Sequence, residues 1–304
     1  MKKIIMTLLL AGTIFTGCTA ETAATSSGPG DVDKIQAVTS FNPVDQLVNY
    51  IGGDKVETTL FVPSGTDPHD FEPSAREMAA LKESDVLFIN GLGMEPWVED
   101  GGITGQTKLM ILSDGIIPIE LEEDDHTSED DDHEGHDHGD HDPHVWLGLD
   151  ELRIMADNTA TAMEVLSPED KAYFQENLKR FHEEADALEA EFLPKFAPFE
   201  GQAFVTGHEA FGYLVKNIGL VQKGVSGPLA EGEPTPQKLK DLVDFVKAND
   251  ITTIFTEELG SAKVSETLAR ETGARMVVLP TLESTGEIFP ALREIYEKVL
   301  ASLE

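Results

Sequence analysis

Apolar residues in this chain fall into two alternating patterns, short continuous runs and longer stretches with helical spacing. The runs typical of strands lie at 34–40, 56–62, 85–91, 108–113, 202–208, 220–225, 251–258 and 274–280. Stretches with an apolar residue every three or four positions separate most of them. Strands that alternate with helices favour parallel pairing and right-handed crossovers. We therefore predict an α/β fold class, with two α/β lobes that are each built on a parallel sheet.

The segment from Leu149 to Pro194 contains no strand pattern. Within it, Ser167 and Pro168 have the residue types of a helix N-cap and first turn, and apolar positions then recur at helical spacing. A helix of about 25 residues would be about 38 Å long. We predict one long rigid connector helix at 167–194, between an N-terminal lobe at 33–166 and a C-terminal lobe at 195–304. A coiled coil is the alternative, but the apolar seam is too short for one.

The N-terminus has the pattern of an export signal. Two lysines precede a short apolar run that ends at Cys18, the only cysteine of the chain. Residues 15–17 resemble a lipobox, the cleavage signal of bacterial-type lipoproteins, with Phe15 where leucine is usual. We predict a signal peptide at 1–18, a flexible tether at 19–32, and a lipid on Cys18 that anchors the exported protein to the outer face of the cytoplasmic membrane. A soluble secreted protein is the alternative.

The composition is strongly acidic, which bears on the kind of partner. The 304 residues include 57 acidic and 22 basic side chains, a net charge of −35. Such a surface repels nucleic acid and attracts cations. Of the acidic residues, 13 lie between 120 and 142. We therefore expect no nucleic-acid partner.

Five histidines lie in this acidic insert at 120–142: His126, His133, His136, His138 and His141. The insert has no apolar periodicity and a dense negative charge, so we expect it to be disordered without metal. Histidines on a flexible chain bind metal weakly, because ordering the chain costs entropy. We interpret the five histidines of the insert as weak auxiliary metal sites. The simpler alternative is that the insert is a tolerated, solvated insertion without a role in metal binding.

Four histidines lie outside the insert. We assign His182 to a solvated face of the connector helix. His69, His144 and His208 each follow a strand or begin a loop or helix, where a parallel sheet binds its ligands. Two of them share the tripeptide Asp-Pro-His, in which proline stiffens the backbone and the aspartate can orient the imidazole. Position alone leaves open whether these histidines bind a metal or lie in exposed turns.

Several motifs together resemble one family. The chain contains GTDPHDFEPS, an acidic histidine-rich insert, DPHVWLGL, YFQENLKRF, TGHEAFGYL and IFTEELGSAKVSETLARETGARMVVLP, in that order. This series resembles the zinc and manganese substrate-binding lipoproteins of ABC transporters, the ZnuA-type family of cluster A-I. The resemblance implies a monomeric binding protein, not an enzyme, that delivers its ion to an ABC permease and its ATPase. It also implies a metal site in the interlobe cleft, with His69, His144 and His208 as ligands.

The choice of metal and the fourth ligand are less directly specified. Manganese-binding members tend to have a carboxylate where this chain has His208, and three imidazoles favour Zn²⁺ over Mn²⁺. The family's usual fourth ligand is an aspartate, but proline stands in its place here. Glu283, Glu257 or water could complete the site. A zinc-dependent hydrolase or hydratase is the rival from the enzyme class, and a surface adhesin is a third class.

Overall fold

A computed structural model describes residues 34–98, 107–121, 141–224, 226–228, 235–259 and 262–304. The predicted signal peptide, tether and lipidation site at Cys18 lie outside these residues. So do four histidines of the insert, His126, His133, His136 and His138. Within the described ranges, no helix combines the length and the apolar character that crossing a membrane requires.

The first half forms a four-stranded parallel sheet. Its elements are β1 (Ile35–Thr39), α1 (Asn42–Gly52), β2 (Val56–Leu60), α2 (Ala75–Leu81), β3 (Val86–Ile89) and β4 (Lys108–Ile111). The strand order is β2-β1-β3-β4, and every neighbouring pair is parallel. All four residues of β3 are buried, as its continuous apolar run predicts. The loops that follow β2 and β3 therefore leave the same edge of the sheet.

Two helices follow, α3 (Leu149–Leu166) and α4 (Lys171–Phe196), and α4 is the long helix that the sequence predicts. Its boundaries differ from the prediction. Residues Pro168–Asp170 form a 3₁₀ turn, and the Ser167 hydroxyl donates to the Asp170 carboxylate rather than capping the helix. The helix also continues past Pro194 to residue 196. Over its 26 residues, α4 packs against α1, α3 and the C-terminal helix at Ile288–Leu303.

The second half repeats the alternation of strand and helix. Its elements are β5 (Ala203–Val205), α5 (Gly212–Ile218), β6 (Val221–Lys223), α6 (Pro236–Ala248), β7 (Thr253–Glu257), α7 (Lys263–Thr272), β8 (Arg275–Leu279) and α8 (Ile288–Leu303). The pairs β5–β6 and β7–β8 are both parallel. A parallel bridge between Thr206 and Phe255 joins the two pairs.

Local signals at the helix ends are mostly realised. Ser74 and Glu77 form a reciprocal capping box at the start of α2, and the Thr235 hydroxyl accepts the N–H of Lys238 at the start of α6. Asn42 is different. Asparagine is a favoured N-cap residue, but here Phe41 takes the N-cap position and Asn42 is the first residue of the helix. Its amide instead reaches a distant part of the chain.

One large core runs through both halves and includes Phe88, Phe181 and Tyr296. A smaller apolar cluster, with Leu242, Ile254 and other residues, lies among β5, α6, β7 and α7. The predicted α/β fold class, with parallel sheets and a long helix, is confirmed by this architecture. The lobe boundaries at 166/167 and 194/195 stay a prediction.

Candidate metal centre

His69 lies in the loop between β2 and α2. The Asp67 carboxylate accepts the backbone N–H of His69 at 3.0 Å, which closes a tight turn around the buried Pro68. The aspartate of this Asp-Pro-His tripeptide therefore holds the backbone of the histidine. The imidazole ring is half-buried and points towards a second histidine.

That second histidine is His144, which immediately precedes a 3₁₀ turn leading into α3. Its side chain is 0% exposed. One oxygen of Asp142 accepts both the backbone N–H of His144, at 2.9 Å, and its ring Nδ1–H, at 2.8 Å. A carboxylate on Nδ1 selects the tautomer whose Nε2 lone pair is free to bind a cation. The second Asp-Pro-His tripeptide therefore orients the ring as well as the backbone.

The two imidazoles and one carboxylate converge. The Nε2 atoms of His69 and His144 are 3.3 Å apart, and Oε1 of Glu283 lies 3.8 Å from Nε2 of His144. One ligand atom from each of the three groups lies within 4.8 Å of the other two. Two nitrogens bonded to one tetrahedral Zn²⁺ at about 2.05 Å would be about 3.3 Å apart. The spacing of the histidine nitrogens therefore matches a shared zinc ion.

Glu283 fits this role in its burial as well. The residue is 4% exposed, and its Oε1 has no hydrogen-bond partner among the described residues. A buried carboxylate oxygen without a partner is costly in a folded protein. A cation held between this oxygen and the two imidazoles would supply the missing interaction.

His208 lies next to this cluster without joining it. Its ring centroid is 5.2 Å from that of His144 and 6.2 Å from that of His69. Its Nδ1 contacts Glu257 at 2.9 Å, while its Nε2 donates to the Pro228 carbonyl at 2.7 Å. Helix α5 begins only at Gly212, so His208 lies in a loop rather than at the helix start that the sequence suggests. To bind a metal through Nε2, this ring must leave the Pro228 carbonyl.

Burial sets the protonation of the first-half groups. It lowers the pKa of His69 to about 3, with a further contribution from the neighbouring charge of His144. Burial likewise holds the pKa of His144 well below its usual value. Burial also raises the pKa of Asp142 to about 7. His69 and His144 are therefore neutral at physiological pH, which is the state that binds a metal ion.

In the second half, the pKa values of His208 and Glu283 are both raised. Burial alone would lower the pKa of His208, but the hydrogen bond to Glu257 and its negative charge raise that pKa to about 9. Burial, followed by repulsion from Glu257, raises the pKa of Glu283 to about 8. Without metal, both groups therefore hold a proton at neutral pH, and a cation would have to displace those protons.

Some residues that shape the site have no signal in the local sequence. The Asn90 amide donates to the Pro143 carbonyl at 3.0 Å, and the Tyr213 hydroxyl donates to the Asp142 carbonyl at 2.7 Å. Both bonds fix the backbone just before His144. The Pro228 carbonyl is also unpredictable, because a main-chain oxygen can belong to any residue type.

The other predicted ligands take different places. Glu257 contacts His208 rather than the cluster. His141 lies at the base of the insert, where it forms an antiparallel bridge with Glu120, and its Nδ1 is 3.4 Å from that carboxylate. His182 on α4 pairs with Asp157 at 2.9 Å. The ligand set of His69, His144 and His208, with Glu283 as the fourth group, stays a prediction.

Comparison with known proteins identifies relatives over nearly the whole chain. A protein described as a putative metal-binding protein, from Treponema pallidum, is 33% identical over 294 residues and covers 94% of this chain and 92% of its own length. A high-affinity zinc uptake system protein ZnuA from Bacillus subtilis is 32% identical and covers 84% and 81%. The zinc-binding lipoprotein AdcA of Streptococcus pneumoniae is 32% identical over 99% of this chain, which spans only 59% of AdcA.

A solved structure has the same fold. The laminin-binding protein Lmb of Streptococcus agalactiae, described as a bifunctional protein with adhesin and metal-transporting activity, superposes with a TM-score of 0.79 at 29% identity. The match covers 89% of this chain and 100% of that one. The family described as "ZnuA: Zinc-uptake complex component A periplasmic" matches residues 37–303. The chain therefore belongs to the ZnuA family of zinc-uptake binding proteins.

Proposed function

We propose that this protein captures Zn²⁺ outside the cytoplasm and delivers it to the permease of an ABC importer. The observation that carries the proposal is the convergence of two neutral imidazole nitrogens, 3.3 Å apart, on a buried carboxylate oxygen of Glu283 that has no hydrogen-bond partner in the described part of the chain. His69, His144 and Glu283 supply three ligands, and His208 supplies the fourth when its Nε2 leaves the Pro228 carbonyl. The site then lies in a cleft between the two predicted lobes.

The donor set favours zinc over manganese. Three imidazoles and one carboxylate are nitrogen-rich, and Mn²⁺ prefers carboxylate and water oxygens. A closed set of four protein ligands is also the usual tetrahedral environment of bound zinc. The names of the relatives from Bacillus and Streptococcus support the same assignment. Manganese is the alternative cargo that a competition experiment must exclude.

Export and anchoring follow from the N-terminal sequence. We infer that the signal ends before Cys18, that this cysteine is lipidated, and that the monomeric protein is tethered to the outer face of the membrane. Two acyl chains hold a protein more firmly than one, so a diacylglyceryl cysteine is an effective anchor. Mass spectrometry of protein extracted from membranes should show the lipid on Cys18, and Cys18→Ala should release the protein.

Transport also fits the site better than catalysis. The obvious candidate for a catalytic base is Glu209, which follows His208 in the sequence. Its carboxylate accepts the backbone N–H of Gly224 at 2.6 Å, so it serves the loop structure instead. The cluster also places a protein carboxylate where a hydrolase would need a bound water. Hydrolase or hydratase turnover by zinc-loaded protein, abolished in His208→Ala, would overturn the transport proposal.

The direct test is a zinc titration of metal-free protein. The unaltered protein should have one tight site, and His69→Ala, His144→Ala, His208→Ala and Glu283→Ala should each weaken it by an order of magnitude or more, because each removes one ligand. His182→Ala is the matched control, since this histidine pairs with Asp157 on the helical surface.

Two outcomes would contradict the assignment. The ligand set fails if the tight site survives unchanged in the His69 and His144 variants. The cargo assignment fails if Mn²⁺ displaces Zn²⁺ at equal concentration in direct competition. A loss of zinc binding in His182→Ala comparable to that in the ligand variants would show that the assay reports damage to the fold rather than ligation.

A further inference from the structure

The loop that carries Glu283 follows β8 in the second half, yet side chains of the first half hold it. The Asn42 amide donates to the Leu282 carbonyl at 2.7 Å. The Trp146 Nε1–H donates to the Thr281 carbonyl at 2.8 Å. Building on the proposed zinc site, we propose that Asn42 and Trp146 are positioning residues, which hold Glu283 beside His69 and His144 before the metal arrives.

The hydrogen bonds that the Asn42 side chain makes with the described residues both go to the Glu283 loop. Asn42 is the first residue of α1, directly after the N-cap Phe41, and its amide donates away from its own helix. The residue is 7% exposed, and its amide donates to the Gly286 carbonyl at 3.3 Å as well as to Leu282. The Asn42 side chain thus binds one backbone carbonyl before Glu283 in the sequence and one after it.

Trp146 connects the same loop to the His144 turn. Its ring is fully buried, with its centroid 5.1 Å from the ring of His144 and 4.9 Å from that of Phe41. The indole therefore packs against a predicted ligand on one side and donates to the backbone beside another. His144 and the Glu283 loop are fixed relative to each other by a single rigid side chain.

The backbone of the loop needs this support. Leu282 has a φ of 67°, in the left-handed region that a branched side chain rarely adopts. Its side chain is nevertheless completely buried. Such a conformation persists only where the surroundings determine it. The hydrogen bonds to the carbonyls of Thr281 and Leu282 lie at this strained point, directly before Glu283.

The consequence is a site in two parts. His69, His144 and Glu283 already lie within ligand distance of one another, held by first-half contacts. His208, by contrast, belongs to the β5 loop and is bonded to the Pro228 carbonyl. Pre-organised ligands bind more tightly because their ordering cost is met during folding. Asn42 and Trp146 should therefore influence zinc affinity through Glu283, although neither residue contacts the ion.

The test is a mutant cycle measured by zinc titration of metal-free protein. Asn42→Ala should weaken zinc binding by roughly 10-fold to 100-fold, the usual effect of losing a residue that supports a ligand. The same substitution in a Glu283→Ala background should have almost no further effect, because the ligand that Asn42 positions is gone. Trp146→Phe removes the second donor, keeps an aromatic ring and should give the same pattern.

A spectroscopic measurement distinguishes positioning from general damage. Co²⁺ bound to the unaltered protein should give the strong visible absorption of a tetrahedral site, and Asn42→Ala should change that spectrum towards the one given by Glu283→Ala. The matched control is Asn177→Ala. Asn177 is also buried, and its amide donates to the Ile51 carbonyl at 2.8 Å, at the other end of α1. This variant should lose stability while keeping zinc affinity and the Co²⁺ spectrum.

The outcomes separate this inference from the function on which it rests. If Glu283→Ala leaves zinc affinity unchanged, the ligand assignment is wrong. If Glu283→Ala weakens binding but Asn42→Ala and Trp146→Phe do not, the positioning role is wrong while the zinc site stands. Equal losses from Asn42→Ala in both backgrounds, or an equal loss in Asn177→Ala, would also overturn the positioning role.

Discussion

Replacing Glu283 with glutamine should make the metal-free protein more stable while making it bind zinc less well. The substitution keeps the shape of the side chain and removes its ability to ionise. Glu283 is almost completely buried, and its pKa is raised from the ordinary value of 4.5 to about 8. Folding at neutral pH therefore requires this carboxyl group to take up a proton, a cost that glutamine does not have.

The sign and size follow from proton linkage. Between pH 4.5 and 8 the folded state holds a proton on Glu283 that the unfolded state has lost, so stability decreases as pH rises. Above pH 8, the raised pKa lowers the free energy of unfolding by roughly 5 kcal/mol. At pH 7 the loss is smaller, about 3 kcal/mol. Relaxation of the loop would reduce both values. Below pH 4 the two proteins should be equally stable, since the carboxyl group is then neutral in both states.

The assay is denaturant unfolding of metal-free protein at pH 4, 7 and 9, with and without the substitution. Glu283→Gln should be stabilised at pH 7, more so at pH 9, and unchanged at pH 4. Zinc affinity should decrease in the same protein, because an amide oxygen is a weaker ligand than a carboxylate. Destabilisation by glutamine at pH 9, or a difference that does not change with pH, would refute the reasoning that the carboxylate is buried and costly without metal.

Three further predictions concern the same centre. Zinc binding at pH 7 should release about two protons, from His208 and Glu283, because their pKa values are about 9 and 8. Calorimetry in buffers of different ionisation enthalpy measures the number of protons released, and a number near zero would contradict the raised pKa values. Asp142→Ala should weaken zinc binding by about 10-fold to 100-fold, because it removes the oxygen that orients the His144 ring. Unchanged affinity in titration would exclude that role. Deleting residues 122–140 should remove weak zinc sites and keep the tight one, and native mass spectrometry can count the bound ions. Loss of the tight site would show that the insert supplies one of its ligands.

The alternation of strands and helices was readable from the sequence because each element depends on residues close to it. The continuous apolar run of β3 requires burial on both faces, and the structure buries it completely. Ser74 and Thr235 cap the helices that follow them, since a capping side chain reaches only two or three residues ahead. The first turn of the long helix, Pro168–Asp170, is 3₁₀ rather than α, because proline at the first position is compatible with either.

The histidines of the site were also accessible to sequence reasoning. Each follows a strand or occupies a loop near one, and two share the same stiff tripeptide. The carboxyl ends of parallel strands lie at one edge of the sheet, so the loops that follow these strands lie near one another in any fold of this class. The sequence could not show that His69 and His144 approach to 3.3 Å while His208 stays bonded to a carbonyl.

Only the tertiary structure decided which carboxylate approaches the two histidines. Glu257 and Glu283 are both plausible in the sequence, but Glu257 contacts Nδ1 of His208 and Glu283 turns towards His144. The bond from Asn42 that holds the Glu283 loop spans 240 residues of sequence. Local patterns carry information about neighbours along the chain, since propensity and capping act over a few residues. Contacts between distant residues depend on how whole helices and sheets pack, and that packing determines the geometry of this site.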